Sequence, residues 1–176
     1  AQEEKPVYEL FVDRDWAALR RPLGWATLAG IGLGLYLWTW PPGVLLLGIL
    51  GVFFLIHLSA EVVRGKSPEH TAMVGVISLT VAGLLQLPSL ATLDISATSR
   101  SLLQPGLAFA VAFGCVFMSW LFRQWEARDL SNIGYPGAVA GILLVGAGLM
   151  ALVLPDLFSY FVDQVLRVVG FQTSPT

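Results

Sequence analysis

The sequence predicts an all-α, polytopic membrane protein with five transmembrane helices. Three features predict it: 56% of the 176 residues are apolar, only 12% are charged, and the charge-free stretches divide into five segments of helix length. An ordinary globular domain carries about a quarter charged residues, and a fold this poor in charge could not cover its own surface in water. The mean hydropathy of +0.73 fits lipid as the solvent. Strands are excluded as spans, because an open sheet would leave unpaired backbone groups in hydrocarbon.

A helix needs roughly 20 residues, at about 1.5 Å each, to cross about 30 Å of hydrocarbon. The first charge-free stretch, Pro22 to Ala60, is too long for one helix. Pro41-Pro42-Gly43 divides it, just after Trp38 and Trp40. Two prolines remove two backbone donors and the glycine permits a sharp turn, while tryptophan favours the headgroup level. Spans of about 22–40 and 43–60 follow. The third, about 71–87, lies between Glu69 and Asp94 and is limited by Pro88. The fourth, about 104–122, starts near Gln104-Pro105, where proline is tolerated in a first turn. The fifth, about 137–154, is framed by Tyr135-Pro136 and Pro155. Residues 22–155 thus form a five-helix transmembrane region.

Lys and Arg gather on the cytoplasmic side of membrane proteins. With the segments alternating sides, Lys5, Arg14, Arg20, Arg21, Arg64, Lys66, Arg123 and Arg128 fall together, against Arg100 and Arg167 opposite. The N-terminus is therefore expected inside and the C-terminus outside. Residues 1–21 read as a cytoplasmic amphipathic segment, with a stripe of Tyr8, Val12, Trp16 and Leu19. Residues 156–176 read as an external interfacial helix and the start of an external loop. Over 156–169, Asp156, Tyr160, Asp163, Gln164 and Arg167 share one helix face and Leu157, Phe158, Phe161, Val162, Val165 and Val169 the other. The start at Ala1 and the abrupt end at Thr176 are those expected of a piece of a longer membrane protein.

No residue constellation able to carry out chemistry is found, so no catalytic, cofactor-binding or metal-ligating residue is assigned. His57 is the exception to a lack of ionisable groups within the spans, with Ser59 and Glu61 just beyond. A proton relay would need further partners at membrane depth, and a histidine hydrogen-bonded to a neighbour is the plainer reading. Glu69-His70 lacks zinc-motif spacing. Asp94 is the single acid of its loop, Asp156 stands alone, and Cys115 reads as a small buried hydrophobe. There is no phosphate loop with a lysine and no serine elbow. At net charge −2 there is no basic stripe for nucleic acid. Gly30 with Gly34, and Gly137 with Gly141, have GxxxG spacing, with Gly48, Gly51, Gly75, Gly83, Gly146 and Gly148 as further small positions. Close helix packing is their expected use.

Two stretches carry a family resemblance. Leu35-Tyr36-Leu37-Trp38-Thr39-Trp40-Pro41-Pro42-Gly43-Val44-Leu45-Leu46 and Arg64-Gly65-Lys66-Ser67-Pro68-Glu69-His70 resemble the mid-membrane region of archaeal oligosaccharyltransferase catalytic subunits, particularly those of halophiles. The ending from Tyr160 to Thr176 is similar to the lead into that family's large fifth external loop. The resemblance implies a fragment, helices five through nine, of a larger GT-C type fold with about thirteen transmembrane helices. It also implies transfer of a glycan from a dolichyl phosphate carrier to asparagine of Asn-x-Ser/Thr, with a divalent metal, Mn or Mg. The metal-binding acids of the family lie in earlier external loops, and its Trp-Trp-Asp signature comes later. Neither pattern occurs here, so no catalytic residue is carried over and the fragment alone is expected to be inactive. The other readings are a transporter or permease module, which would show broken helices or polar residues at mid-membrane, and a structural membrane subunit.

Overall fold

In a chain this apolar, backbone groups have to be satisfied within each segment, and helices do that. The computed structural model describes residues 16–40, 43–90, 101–153 and scattered positions from 155 to 166. These contain helices α1 (Trp16–Thr39), α2 (Val44–Val63), α3 (Glu69–Gln86), α4 (Leu103–Glu126) and α5 (Tyr135–Val153), with no strand among them. Short 3-10 turns follow α3 at Leu87–Ser89 and precede α5 at Asn132–Gly134. Beyond α5, the described positions Pro155, Asp156, Phe158, Ser159, Val162, Asp163 and Leu166 have helical backbone. The face pattern expected for 156–169, the stripe at Tyr8 and Val12, the Pro41-Pro42 dipeptide and Asp94 lie wholly or partly outside the described residues.

Each predicted span corresponds to a helix, and each of the first four runs past its expected limit at the end that carries charge. α1 starts at Trp16, so Pro22 sits inside the helix rather than at its start. α2 runs on through Glu61 to Val63, α3 begins at Glu69, and α4 carries Arg123 in its last turn. In α2, α3 and α4 charge did not stop the helix, because Glu61, Glu69 and Arg123 find partners at the ends, as described below. Gly65 does stop α2. It takes the left-handed conformation at φ 69, and the Lys66 N–H returns to the Glu61 carbonyl at 2.9 Å.

Two units are distinguished, residues 1–135 and 136–176. In the first, α1 lies along α3, α3 along α4, and α4 along α2, with a lighter α2–α3 contact. The facing residues give the directions. A Cβ placed on Gly30 would lie 2.5 Å from the Ser78 carbonyl oxygen, and one on Gly34 would lie 2.9 Å from Leu85, so α1 and α3 run parallel. Gly75 faces Phe54 and Cys115 while Gly83 faces Phe109, so α4 is antiparallel to α3. Gly51 faces Val111, and α2 runs with α4. The buried core comprises Leu19, Ala26 and Leu37 of α1, Leu47, Leu58 and Val62 of α2, Leu79 and Ala82 of α3, and Ala108, Cys115 and Met118 of α4.

The second glycine pair behaves differently. Gly137 and Gly141 of α5, like Gly48, Gly146 and Gly148, have no atom within 4 Å of an added Cβ.

Three helical stretches are long and apolar enough to cross a membrane: Val44–Val63, Leu103–Glu126 and Asn132–Val153. α1 and α3 are not among them. They are also the pair with the closest mutual packing, and the glycine, serine, threonine and glutamine that permit it dilute their apolar content.

Candidate functional site

The helix directions gather the polar residues into two groups. Among the described residues of the first unit, every Asp, Glu, Lys and Arg lies at one end: the start of α1, the α2–α3 turn and the end of α4. The described residues of the opposite end carry no charged side chain and include Trp38, Trp40, Gln86, Ser101 and Gln104.

At the charged end, Arg123 Nε donates to Glu69 Oε1 at 2.7 Å, joining the last turn of α4 to the first of α3. Thr71 Oγ1 donates to Glu61 Oε1 at 2.8 Å, joining α3 to α2. His57 Nε2 lies 3.5 Å from the same Glu61 oxygen, one helical turn away. The His57 ring stacks on Phe53 at 5.2 Å between centroids. His57 is thus held by neighbours on its own helix, and His70 is exposed. Glu61 Oε2 and Ser119 Oγ are buried without a hydrogen-bond partner. No three His, Cys, Asp or Glu side chains come together as a metal-holding group among the described residues.

At the uncharged end the hydrogen bonds run between helices and to the backbone. Trp38 Nε1 donates to the Leu85 carbonyl at 2.7 Å, and Gln86 Nε2 donates to the Gly34 carbonyl at 2.8 Å. Leu85 lies in the last turn of α3, where carbonyls lose their intrahelical donors, and Pro88 supplies none. The indole therefore caps α3 from a neighbouring helix. Ser101 and Gln104 brace the start of α4: the Ser101 N–H donates to Gln104 Oε1 at 3.0 Å, and the Leu103 N–H to Ser101 Oγ at 3.3 Å. This resembles a Ser-x-x-Gln capping box, set one residue before the Leu102 N-cap of α4. Cys115 is 2% exposed within the bundle. Among the described residues the arrangement fastens helices, and no nucleophile with a base and no convergent acids are found there.

Comparison with known proteins supplies the context. Over 171 residues, 97% of its length, the chain is 47% identical to the dolichyl-monophosphooligosaccharide–protein glycotransferase AglB of Haloferax volcanii. The chain is similar to one stretch of that relative. It spans 16% of the length of that curated relative. The fold is shared with the AglB of Archaeoglobus fulgidus, an archaeal oligosaccharyltransferase solved with an inhibitory peptide and a dolichol-phosphate. That superposition has a TM-score of 0.67 at 22% identity and covers 86% of this chain and 18% of the other. No family model matches the chain. The AglB match along nearly the whole chain and the three spanning-length apolar helices together give the segment a membrane location.

Proposed function

We propose that this chain is transmembrane scaffold of an oligosaccharyltransferase, an enzyme that moves a lipid-linked oligosaccharide onto asparagine of Asn-x-Ser/Thr. The observation that carries the reading is 47% identity to AglB sustained over 97% of the chain. Its substrates would be a dolichyl-phosphate-linked glycan and an acceptor polypeptide. The described residues offer no group of ligands for the divalent metal, Mn or Mg, that this chemistry would use. The metal and the reacting groups would accordingly sit on other parts of the longer polypeptide. The segment's work is to hold helices at fixed spacing beside them.

The reading includes five membrane crossings, with α1 and α3 spanning despite their diluted apolar content. Parallel α1 and α3, and α2 and α4 running the other way, are the directions alternating crossings require. Gathering of all described charges of the first unit at one end supports placing that end inside, by the excess of Lys and Arg. Residues 1–21 would then be cytoplasmic and 156–176 external. A transporter module is less well supported, since α1 to α5 run without the mid-membrane breaks such a site needs.

The test uses the full-length polypeptide in membranes, with a lipid-linked oligosaccharide and an Asn-x-Ser peptide. Glycopeptide should form, stop on chelation of divalent metal, and return with Mn or Mg. Replacing residues 22–153 with unrelated helices of equal length should abolish transfer. Retained transfer after that replacement, or none from the unaltered polypeptide, would overturn the proposal.

A further inference from the structure

The turn between α4 and α5 displays two large apolar side chains that the scaffold reading leaves unused. Leu130 is 43% and Ile133 79% exposed. They stand among Arg128, Asp129, Ser131 and Asn132, all exposed. The turn is braced rather than slack. Asp129 adopts the left-handed conformation at φ 52, which ends α4, and its N–H bonds to the Glu126 carbonyl at 3.0 Å. Trp125 Nε1 donates to the Ser131 carbonyl at 3.0 Å, and the Leu130 N–H donates to the Trp125 carbonyl at 3.3 Å. Fully buried Tyr135 donates its hydroxyl proton to the Met118 carbonyl at 2.8 Å and meets Trp125 edge-on. The ring of bonds fixes the turn while Leu130 and Ile133 remain outside it.

We propose that this turn is an interfacial wedge, with Leu130 and Ile133 inserted at the headgroup–acyl boundary of the leaflet at the charged end. Position argues for lipid as the occupant. The helices on either side, Leu103–Glu126 and Asn132–Val153, are both long and apolar enough to cross a membrane, and residues 127–131 between them are too few to leave its surface. Apolar tips among polar and charged neighbours are the composition of segments that lie in an interface. The inference rests on α4 and α5 crossing the bilayer and is independent of the transferase chemistry.

The experiment places single cysteines in the full-length polypeptide, native cysteines including Cys115 replaced by serine, and attaches a spin label in vesicles of archaeal lipid. Collision with oxygen, which partitions into lipid, is compared with collision with a water-soluble nickel chelate. Leu130→Cys and Ile133→Cys should favour oxygen, and Arg128→Cys should favour nickel. Phe113→Cys, an exposed position in mid-α4, reports separately whether α4 crosses. Nickel-favoured collision at 130 and 133, with 113 oxygen-favoured, overturns the wedge and leaves the span intact. Exclusion of both reagents at 130 and 133 also overturns it, by showing protein over the turn. Should those two variants fail to fold, Ser131→Cys and Asn132→Cys, exposed polar positions of the same turn, read its depth: intermediate collision supports the wedge, and fully aqueous collision overturns it.

Discussion

Arg123 Nε stands 2.7 Å from Glu69 Oε1, and the two partners are unequally placed: the arginine side chain is 45% exposed, the glutamate 10%. The pair joins the end of α4 to the start of α3 across 54 positions of sequence. Removing either partner has different consequences, because the one left behind is either hydrated or shielded. Arg123→Gln removes the guanidinium from beside a largely buried carboxylate and is expected to cost about 1–3 kcal/mol. Glu69→Gln leaves a guanidinium that water and headgroups can reach, and is expected to cost less than about 1 kcal/mol. Denaturant titration in detergent micelles measures both. Equal losses would show that the pair's asymmetry has no energetic weight.

Gly30 provides a second test of packing, with a control two residues away. Alanine at Gly30 would set its Cβ 2.5 Å from the Ser78 carbonyl oxygen and 2.8 Å from Val81 Cβ. The first of these is backbone and cannot rotate aside, so α1 and α3 have to separate. Gly32 has nothing within 4 Å of an added Cβ. Gly30→Ala is expected to lose about 1–3 kcal/mol by overpacking, while Gly32→Ala should be neutral or gain a few tenths from helix propensity. The same titration decides it, and cross-linking between cysteines on α1 and α3 should fall in the first variant alone.

The helices were legible because five long apolar runs admit no other structure in lipid. Their ends were less so. Reading each span as the stretch between charges set boundaries at Arg21, Glu61, Glu69 and Arg123, yet the helices include all four of these residues. Glu61 with Thr71, and Glu69 with Arg123, make pairs that no local pattern announces. The hooks from Trp38 to Leu85 and from Gln86 to Gly34 join residues 47 and 52 positions apart, a separation at which sequence spacing carries no signal. Ser101-x-x-Gln104 was the opposite case, a local pattern that could have been read. Gly30-x-x-x-Gly34 and Gly137-x-x-x-Gly141 looked alike and differ in the fold, since only the first meets a partner helix among the described residues. The family resemblance was legible in Leu35–Leu46 and Arg64–His70, and the long match to AglB bears it out.

The indole cap offers a local test. Trp38→Phe keeps the ring but removes the donor to the Leu85 carbonyl, leaving that group unpaired at the end of α3. The expected loss is about 1 kcal/mol, concentrated at one end of the bundle. Hydrogen exchange followed by mass spectrometry should quicken in peptides covering 80–90 and 34–40, and stay unchanged in those covering the charged end near 61–72. A uniform increase along all four helices would show global destabilisation and refute a local cap. Gln104→Ala should act in the same way on the first turn of α4, at about 1 kcal/mol for a lost cap.

Membrane sidedness separates five crossings from three. Lys66 and Arg128 are exposed at the charged end. Trp40 and Leu102, 54% and 39% exposed, lie at the other end of the same bundle. In the full-length polypeptide, single cysteines at 40 and 102 should react with a membrane-impermeant maleimide on intact cells. Those at 66 and 128 should react only after lysis. Reversal of both pairs would leave the fold and invert the orientation, so the excess of Lys and Arg would have misled. Reaction of all four from one side would be a different failure. α1 and α3 would then not cross, and their glycine-rich packing would belong to helices that enter the membrane and stop. The fold argues against that outcome: α1 runs parallel to α3, and α3 is fastened at both ends, to Arg123 at one and Trp38 at the other. α4 is itself apolar enough to cross, and if it spans the bilayer, a helix packed along it would be carried across with it.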